Sequence, residues 1–269
     1  ENCMWPAWTA ARRIDPPAVM PGVIVLKKFR ADLHIHTCLS PCADWEMSPR
    51  RIIRRSVESG LDLIAVCDHN SSENSAAVAA EGERAGIAVI PGLEICSREE
   101  VHMLALFGGM DQALAMQALI YAHLPGENRP EVFGDQIVAN DADEVVAENP
   151  RLLIGATDLS VEQIVRGTHG MGGLCLAAHI DRPANGIISQ LGFIPPRLAL
   201  DGLEVSPRIP LARAREILPE VGSRPCLTSS DAHRLADIGR VHTRMRMAEP
   251  TFEELGRALR GEHGRGIVG

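Results

Sequence analysis

Seven strand-like runs alternate with helix-like segments along most of the chain, and this alternation restricts the possible folds more than any other feature. The apolar, strand-like runs lie at residues 30–37, 63–70, 88–97, 101–108, 174–180, 200–206 and 226–233. Helical patterns lie between or after them, at residues 48–60, 72–86, 111–124, 160–172 and 251–261. Strands that alternate with helices are typical of parallel sheets with crossover helices. The pattern therefore predicts an α/β protein whose strands run parallel.

Two parts of the chain depart from this alternation. Residues 125–158 are rich in acidic residues, Gly and Pro and show little periodicity. We interpret them as an insertion or a large loop within one domain. Residues 1–29 are expected to form an N-terminal arm, so that the main domain would span residues 30–269.

The length and charge of the chain indicate which kinds of binding partner to expect. The chain has 269 residues, a formal net charge of -8 and no long run of Lys or Arg. Because a polyanion is held mainly by clustered positive charge, these features predict that long nucleic acid is not a partner. A small phosphorylated substrate, such as a nucleotide held at a local positive centre, is compatible with them. No apolar run approaches the roughly 18 residues that span a membrane, so no membrane partner is expected.

The seven cysteines indicate the redox state of the cellular compartment. Four of them lie inside apolar strand-like runs, where a thiol behaves as a small hydrophobic side chain: Cys67, Cys96, Cys175 and Cys226. An odd number of mostly buried cysteines is typical of a reducing environment. We also find no signal-peptide pattern, and we expect a cytoplasmic location. The sequence does not indicate an oligomeric state.

His, Asp or Glu residues stand near the ends of most strand-like runs. The positions are His34, His36, Asp68, His69, Glu94, His102, His179, Glu204, Asp231 and His233. Active sites form where the carboxyl ends of parallel strands meet. A single strand histidine is more often a hydrogen-bonded structural residue, but many imidazoles and carboxylates in one dry pocket would cost several kcal/mol. A bound cation removes that cost, so the pattern predicts a site for Zn, Mn or Fe.

The four other histidines are not expected to belong to the site. Three lie in helical or tail segments, where a solvated surface position is the simpler interpretation: His123, His169 and His263. His242 lies in a predicted edge strand near the end of the chain.

The sequence resembles the PHP family, named for polymerase and histidinol phosphatase. The matching segments are DLHIHT (32–37), CDHN (67–70), PGLEI and the following VHMLALF (91–107), AAHIDRP (177–183) and SSDAH (229–233). The resemblance implies a distorted (β/α)7 barrel, here with an inserted segment. It also implies a cluster of metal ions, usually three, at the carboxyl face of the strands, and hydrolysis of phosphate esters.

The resemblance further implies which residues bind each ion. One ion would have ligands from three strand-like runs: His34, His36, Glu94 and Asp231. A second would share one carboxylate and add two imidazoles: Glu94, His102 and His179. A third would be held by His69, His233 and a group from the loop after the first strand. The expected number of ions is thus two to three.

The loop ligand of the third ion has two candidates. Asp44 falls where the family carboxylate belongs when the loop is counted back from Ser48 and Pro49. Cys42 is the rival, because its thiolate would favour Zn. The loop is longer than in many relatives, and Asp44 could also act only as a cap, with water completing the site.

The implied mechanism assigns roles to individual residues. Two or three metal ions lower the pKa of a water molecule and clamp the phosphoryl oxygens, so that an activated hydroxide attacks phosphorus. The catalytic residues would be Glu94 as a bridge, Asp231 as a ligand, and His179 or His233 orienting water.

Three further residues are candidates for binding substrate. Arg182 could reach a phosphate with its planar guanidinium, although a surface ion pair with Asp181 or Glu204 would explain it as well. Asn70 and Ser71 follow His69 and could donate hydrogen bonds to a ligand. They could equally cap the helix that follows.

These observations favour a metal-dependent hydrolase acting on phosphate esters of small nucleotides or short oligonucleotide ends. A histidinol-phosphatase-like monoesterase for small non-nucleotide phosphates is the first alternative. A non-hydrolytic metal-binding module serving a polymerase is the second, and the complete ligand set argues against it.

Overall fold

The computed structural model describes residues 24–268. The N-terminal arm predicted for residues 1–29 therefore lies outside the described residues as far as residue 23, and the first strand begins at Lys27. The strands are β1 Lys27–Ile35, β2 Leu63–Val66, β3 Ala88–Cys96, β4 His102–Leu106, β5 Ile137–Ala139, β6 Val145–Glu148, β7 Leu174–Ala177, β8 Gly202–Val205, β9 Cys226–Thr228, β10 Thr243–Met247 and β11 Gly266–Val268. The helices are α1 Pro49–Glu58, α2 Ser75–Ala85, α3 Met110–His123, α4 Pro130–Phe133, α5 Val161–Gly170, α6 Ile187–Leu191, α7 Ala214–Ile217 and α8 Phe252–Leu259.

Nine strands form one sheet that curls into a nearly closed barrel. Their order is β11-β10-β1-β2-β3-β4-β7-β8-β9. A parallel bridge between Ile35 and Ala232 joins the end of β1 to the residues that follow β9. Helices flank the sheet. The seven predicted strands are all present, and the prediction of a distorted α/β barrel is confirmed.

The direction of β4 corrects the expectation that all strands run parallel. β4 pairs antiparallel with both β3 and β7. A tight turn joins β3 to β4, in which the Ser97 amide donates to the Val101 carbonyl at 2.9 Å and Glu100 adopts a left-handed φ of 58°. His102 consequently stands at the amino end of β4, on the same edge of the sheet as the carboxyl ends of β3 and β7.

The strand predicted around His242 is also placed differently from expectation. β10 pairs with β1 on one side and with β11 on the other, so it is not an edge strand. β11, which the sequence pattern did not predict, occupies the edge.

Helices α1 and α5 show how local sequence sets the elements. Pro49 opens α1 at a position whose amide needs no partner in the helix. Ile52 and Ile53 are buried on its inner face, and Gly60 follows the end with a left-handed φ of 66°. α5 begins with a capping box, in which the Ser160 hydroxyl accepts from the Gln163 amide.

The predicted insertion, residues 125–158, contains α4 and the two-stranded sheet of β5 and β6. Buried amide side chains tie it to the barrel. Asn74, which precedes α2, donates to the Ile137 carbonyl at 3.0 Å and accepts from the Ala139 amide at 2.9 Å. Within the insertion, Gln136 donates to the carbonyls of Asn149 and Arg151. The insertion therefore packs on the barrel as part of the same unit.

Between residues 24 and 268, no helix has both the length and the apolar character needed to cross a membrane. The six cysteines in this part of the chain are unpaired, and all but Cys42 are buried.

Candidate metal centre

Eight of the nine predicted metal ligands meet at one edge of the barrel, at or just after the ends of six strands. They are His34, His36, His69, Glu94, His102, His179, Asp231 and His233. Six imidazoles and two carboxylates thus share one pocket. Six of these residues are buried. His102 and His233 are partly buried, with 12% and 28% of their side chains exposed.

Glu94 lies at the centre of this cluster. Its Oε1 is 2.7 Å from Nδ1 of His102 and 3.0 Å from Nε2 of His179. Its Oε2 is 3.0 Å from Nδ1 of His69 and 3.3 Å from Nε2 of His36. One carboxylate with imidazoles around both oxygens has the contacts expected of a bridge between two cations.

Asp231 supplies the second carboxylate. Its Oδ1 is 3.1 Å from Nε2 of His36 and 3.4 Å from Nε2 of His34, and its Oδ2 accepts from Arg182 at 2.6 Å. Asp231 and His179 both have positive φ angles, 51° and 26°. Such conformations cost free energy in residues other than glycine and persist where the surrounding structure fixes them, often at functional sites.

Three groups of side chains in the described residues have ligand atoms close enough together to bind an ion. They are His34 with His36 and Asp231; His69 with Glu94 and His102; and His36 with His69 and His233. The donors are imidazole and carboxylate, which suits divalent ions such as Zn, Mn and Fe.

The hydrogen bonds of two histidines show that the donor set fits a cation. Nδ1 of His34 is 3.0 Å from a carboxylate oxygen of Glu204, which can only accept while ionised, so Nδ1 carries a proton. In the neutral ring Nε2 then has a lone pair, and it faces Nε2 of His36 at 3.2 Å. Nδ1 of His36 is satisfied by the Ser40 hydroxyl at 2.9 Å. Two ring nitrogens that face each other in this way are stabilised by a shared positive charge.

The pKa shifts of His34 and Glu94 follow from the pairing of imidazoles with carboxylates in the pocket. Burial alone would lower the pKa of His34, but Asp231, Glu204 and Glu94 outweigh it and hold that pKa well above its usual value. Burial would raise the pKa of Glu94, but the imidazoles of His102, His34 and His69 keep it well below its usual value. His233 differs: burial and the neighbouring His36 lower its pKa to about 3.

A second layer of polar groups holds the ligands in place. Glu204 fixes His34 and also accepts from the His179 amide at 3.0 Å. Asp68 accepts from the Ser40 hydroxyl at 2.7 Å, which in turn contacts His36. Such outer partners set the tautomer and orientation of a metal-binding histidine. The sequence placed Glu204 and Asp68 at strand ends but gave no signal of this role.

Asp44 is the one predicted ligand that the structure does not bring into the cluster. Its carboxylate is half exposed and faces the guanidinium of Arg234 at 3.7 Å. Its backbone amide donates to the His233 carbonyl at 2.9 Å, which directs the loop past the cluster. Cys42, the rival candidate in the same loop, is exposed, and its thiol belongs to none of the groups of close ligand atoms among the described residues.

Asn70 and Ser71 also lie apart from the pocket, contrary to their predicted role in substrate binding. Asn70 is buried and donates to the carbonyls of Leu153 and Gly155 at 2.8 and 2.7 Å, holding the insertion. The Ser71 hydroxyl is bonded to Tyr121 at 2.8 Å. Neither caps α2, whose cap position is Asn74.

An open cleft of about 630 Å³ lies above the cluster. Arg182 lines it while contacting Asp231, so its ion pair is not the surface pair with Asp181 or Glu204 that the sequence allowed. Arg208 and Asn185 line the same cleft, and Ile154 of the insertion forms part of its wall.

A family model described as the PHP domain matches residues 32–187, and a second model described as PHP-associated matches residues 210–262. The chain belongs to the PHP family. The prediction of a metal-dependent phosphoesterase of the PHP type is thereby confirmed at the level of the family.

Curated relatives share shorter stretches with this PHP chain. Protein YqxK of Bacillus subtilis is 31% identical over 103 residues, which cover 36% of this chain and 26% of the relative. The 5'-3' exoribonuclease Rnm of Escherichia coli is 34% identical over 79 residues, which cover 29% of this chain and 26% of the relative. The chain thus matches about a quarter of the length of these relatives.

Solved structures share the fold more widely. Endonuclease Q of Pyrococcus furiosus matches with a TM-score of 0.69 and 20% identity, over 90% of this chain and 58% of that chain. A metal-dependent phosphoesterase structure from Bifidobacterium adolescentis matches with a TM-score of 0.54 and 19% identity, over 76% of this chain and 87% of that chain. At these identities the likeness concerns the PHP fold.

The prediction that long nucleic acid is not a partner is wrong. A second structure of endonuclease Q, with a TM-score of 0.68 and 20% identity over 90% of this chain and 58% of that chain, is a complex with a 27-mer duplex that carries an abasic lesion at the active site. The prediction relied on net charge and on runs of basic residues. Local charge in a cleft is independent of both: Arg182 and Arg208 come from distant parts of the sequence and line one cleft of an acidic chain.

Proposed function

We propose that the chain is a metal-dependent hydrolase that cleaves phosphate ester bonds in nucleic acids, including nucleotides and short oligonucleotides. The observation that carries this proposal is the Glu94-centred cluster of imidazoles and carboxylates at the floor of a cleft that Arg182 and Arg208 line. The cleft volume suits one nucleotide unit rather than a bare phosphate.

Similar proteins support the choice of nucleic acid. Rnm is an exoribonuclease and endonuclease Q is a lesion-specific endonuclease. Their substrates differ, but both enzymes act on nucleic acids. We extend that class, and not a particular substrate, to this chain.

The assignment of ligands is part of the proposal. One ion would be bound by His34, His36 and Asp231, and a second by His69, Glu94 and His102, with His179 on the same Glu94 oxygen. A third position is lined by His36, His69 and His233. Because Ser40 occupies Nδ1 of His36, its Nε2 would bind either the first ion or the third. When bound, two to three divalent ions supply Lewis-acid polarisation of the phosphate ester and a water molecule of lowered pKa.

The side chains around this cluster position the reacting groups. Glu94 would hold two neighbouring cations, because its two oxygens face different imidazoles. Asp231 links a metal position to Arg182, whose planar fork can donate to a non-bridging phosphate oxygen. His179 and His233 line the cleft, where a ring nitrogen could orient water.

The test is a substrate screen with purified protein loaded with Mn or Zn. Single-stranded oligonucleotides, an abasic duplex, nucleoside bisphosphates and histidinol phosphate would be offered at equal concentration. We expect turnover of nucleic acid or nucleotides and little of histidinol phosphate. Turnover of histidinol phosphate alone would support the monoesterase alternative, and no turnover of any substrate at full metal loading would support the binding module.

A further inference from the structure

Arg208 is a positive charge in the cleft that the ligand assignment does not use. It is exposed in the turn after β8 and lines the cleft together with Arg182, which lies in the turn after the neighbouring strand β7. In residues 24–268 its guanidinium has no carboxylate within ion-pair distance. Arg182, by comparison, is already paired with Asp231 at 2.6 Å.

The turns that carry the two arginines are joined by one carboxylate. Asp181 accepts from the Ser206 amide at 2.7 Å and from the Ser206 hydroxyl at 2.5 Å. The Ser206 hydroxyl oxygen also accepts from the Arg208 amide at 3.3 Å. Asp181 directly precedes Arg182, so this bridge fixes the backbones of both arginines on the same wall of the cleft.

We propose that Arg208 binds the phosphate next to the scissile one, so that the site favours strands with at least two successive phosphates. This inference rests on the proposed function, since it takes the scissile phosphate to lie between the Glu94 cluster and Arg182. Guanidinium groups bind phosphate through paired N–H donors. A guanidinium without an ion-pair partner, next to the site of the scissile phosphate, can therefore bind the next phosphate along a strand.

The simpler interpretation is that Arg208 is an ordinary solvated surface residue. Many exposed arginines contribute nothing to binding. That interpretation predicts no link between Arg208 and the charge of any particular phosphate, which is what the experiment measures.

The experiment compares two dinucleotides in direct binding. One is pTpT, which carries a terminal phosphate and an internal phosphodiester. The other is its analogue with a neutral methylphosphonate linkage in place of the phosphodiester. Their dissociation constants would be measured by competition against a fluorescent oligonucleotide, with the wild-type chain and with Arg208→Gln.

The wild-type chain should bind pTpT about tenfold more tightly than the neutral analogue, the usual worth of one charge-assisted contact. Arg208→Gln should bind both dinucleotides equally, at the weaker affinity. Arg208→Lys should keep part of the preference, because it keeps the charge without the fork. Arg166→Gln is the matched control: Arg166 is exposed on α5, outside the residues that line the cleft, and its loss should leave the tenfold preference intact.

Two results would overturn the inference: a wild-type chain that binds both dinucleotides equally, or an Arg208→Gln variant that keeps the wild-type preference. Hydrolysis of bis(p-nitrophenyl) phosphate, which has one phosphate, tests the proposed function separately. If the metal-loaded protein does not turn it over or cleave any oligonucleotide while the preference for pTpT depends on Arg208, the proposed function fails and the binding role of Arg208 stands.

Discussion

At the scale of single residues, Glu94 carries the most contacts in the cluster. Both its oxygens face imidazoles, and it is 1% exposed. We predict that Glu94→Gln lowers kcat/KM at least about a hundredfold, because changes even to outer partners of a metal site cost 10- to 100-fold. Bound metal, measured by elemental analysis, should fall by at least one equivalent. Circular dichroism should show the fold unchanged, and turnover within tenfold of wild type would show that Glu94 is not a bridge.

The loop ligand of the third metal position is a separate question at the same scale. Cys42 and Asp44 are the two candidates, and the carboxylate of Asp44 faces Arg234 instead of the cluster. We therefore predict that Cys42→Ser loses one metal equivalent in protein loaded with Zn, since a thiolate is a strong Zn ligand. Asp44→Asn should keep the full complement. Metal counts on the two variants side by side decide it, and a loss confined to Asp44→Asn would restore the carboxylate that the family resemblance implies.

Most ligands could be predicted from the sequence because each stands at or beside a strand end, and strand ends meet. Asn70 shows where that reasoning stops. It follows His69 directly, yet its left-handed φ of 52° turns the amide toward the insertion backbone. A backbone angle of this kind cannot be inferred from strand periodicity. Glu204 and Asp68 were missed for another reason: they act through His34 and His36, and such roles depend on contacts between distant strands.

At the scale of elements, the strands and main helices followed from periodicity, but the direction of β4 did not. A five-residue link between two apolar runs is compatible with a hairpin, and the alternation elsewhere suggested otherwise. The hairpin places Glu94 and His102, eight residues apart, in contact at 2.7 Å. β11 was not predicted because it has only three residues, which are too few to show the alternating pattern of a strand.

A buried ion pair links α8 to the residue that precedes β11. Glu254 accepts from Arg265 at 2.6 and 2.8 Å. This contact, together with further hydrogen bonds, lowers the pKa of Glu254 to about 2 from an ordinary 4.5. A carboxyl whose pKa is depressed by folding contributes stability that is complete above the unfolded pKa and is lost as the pH falls through the folded one.

We therefore predict that Glu254→Gln lowers the Tm at pH 7. The difference in Tm between this variant and the wild type should shrink as the pH falls from about 4.5 towards 2. Glu253→Gln, at the exposed neighbouring position, is the control and should change the Tm little at any pH. A difference for Glu254→Gln that stays constant across this range would contradict the assigned cause.

At the scale of the whole molecule, the cluster gathers six imidazoles and two carboxylates in a largely buried pocket. We predict that chelator treatment lowers the Tm and that added Mn or Zn restores it, since an ion that binds only the folded chain stabilises it by about 2.7 kcal/mol at 100 times its Kd. Differential scanning fluorimetry measures the shift. The gain should be smaller in Glu94→Gln, and an equal gain in both proteins would place the ions elsewhere.

The nearly closed barrel has a slit between β1 and the residues after β9, crossed by the bridge from Ile35 to Ala232. His34 and His36 lie on one side of the slit and Asp231 lies on the other. The His36 amide donates to the Ala232 carbonyl at 3.0 Å. An ion held by those three side chains would fasten the end of β1 to the residues that follow β9. The slit should then open less often when the ion is bound. Amide hydrogen exchange at His36 and Ala232 should therefore slow on metal loading more than exchange along β2 or β3. Metal ions bound at this edge of the barrel would thus also help to keep the barrel closed.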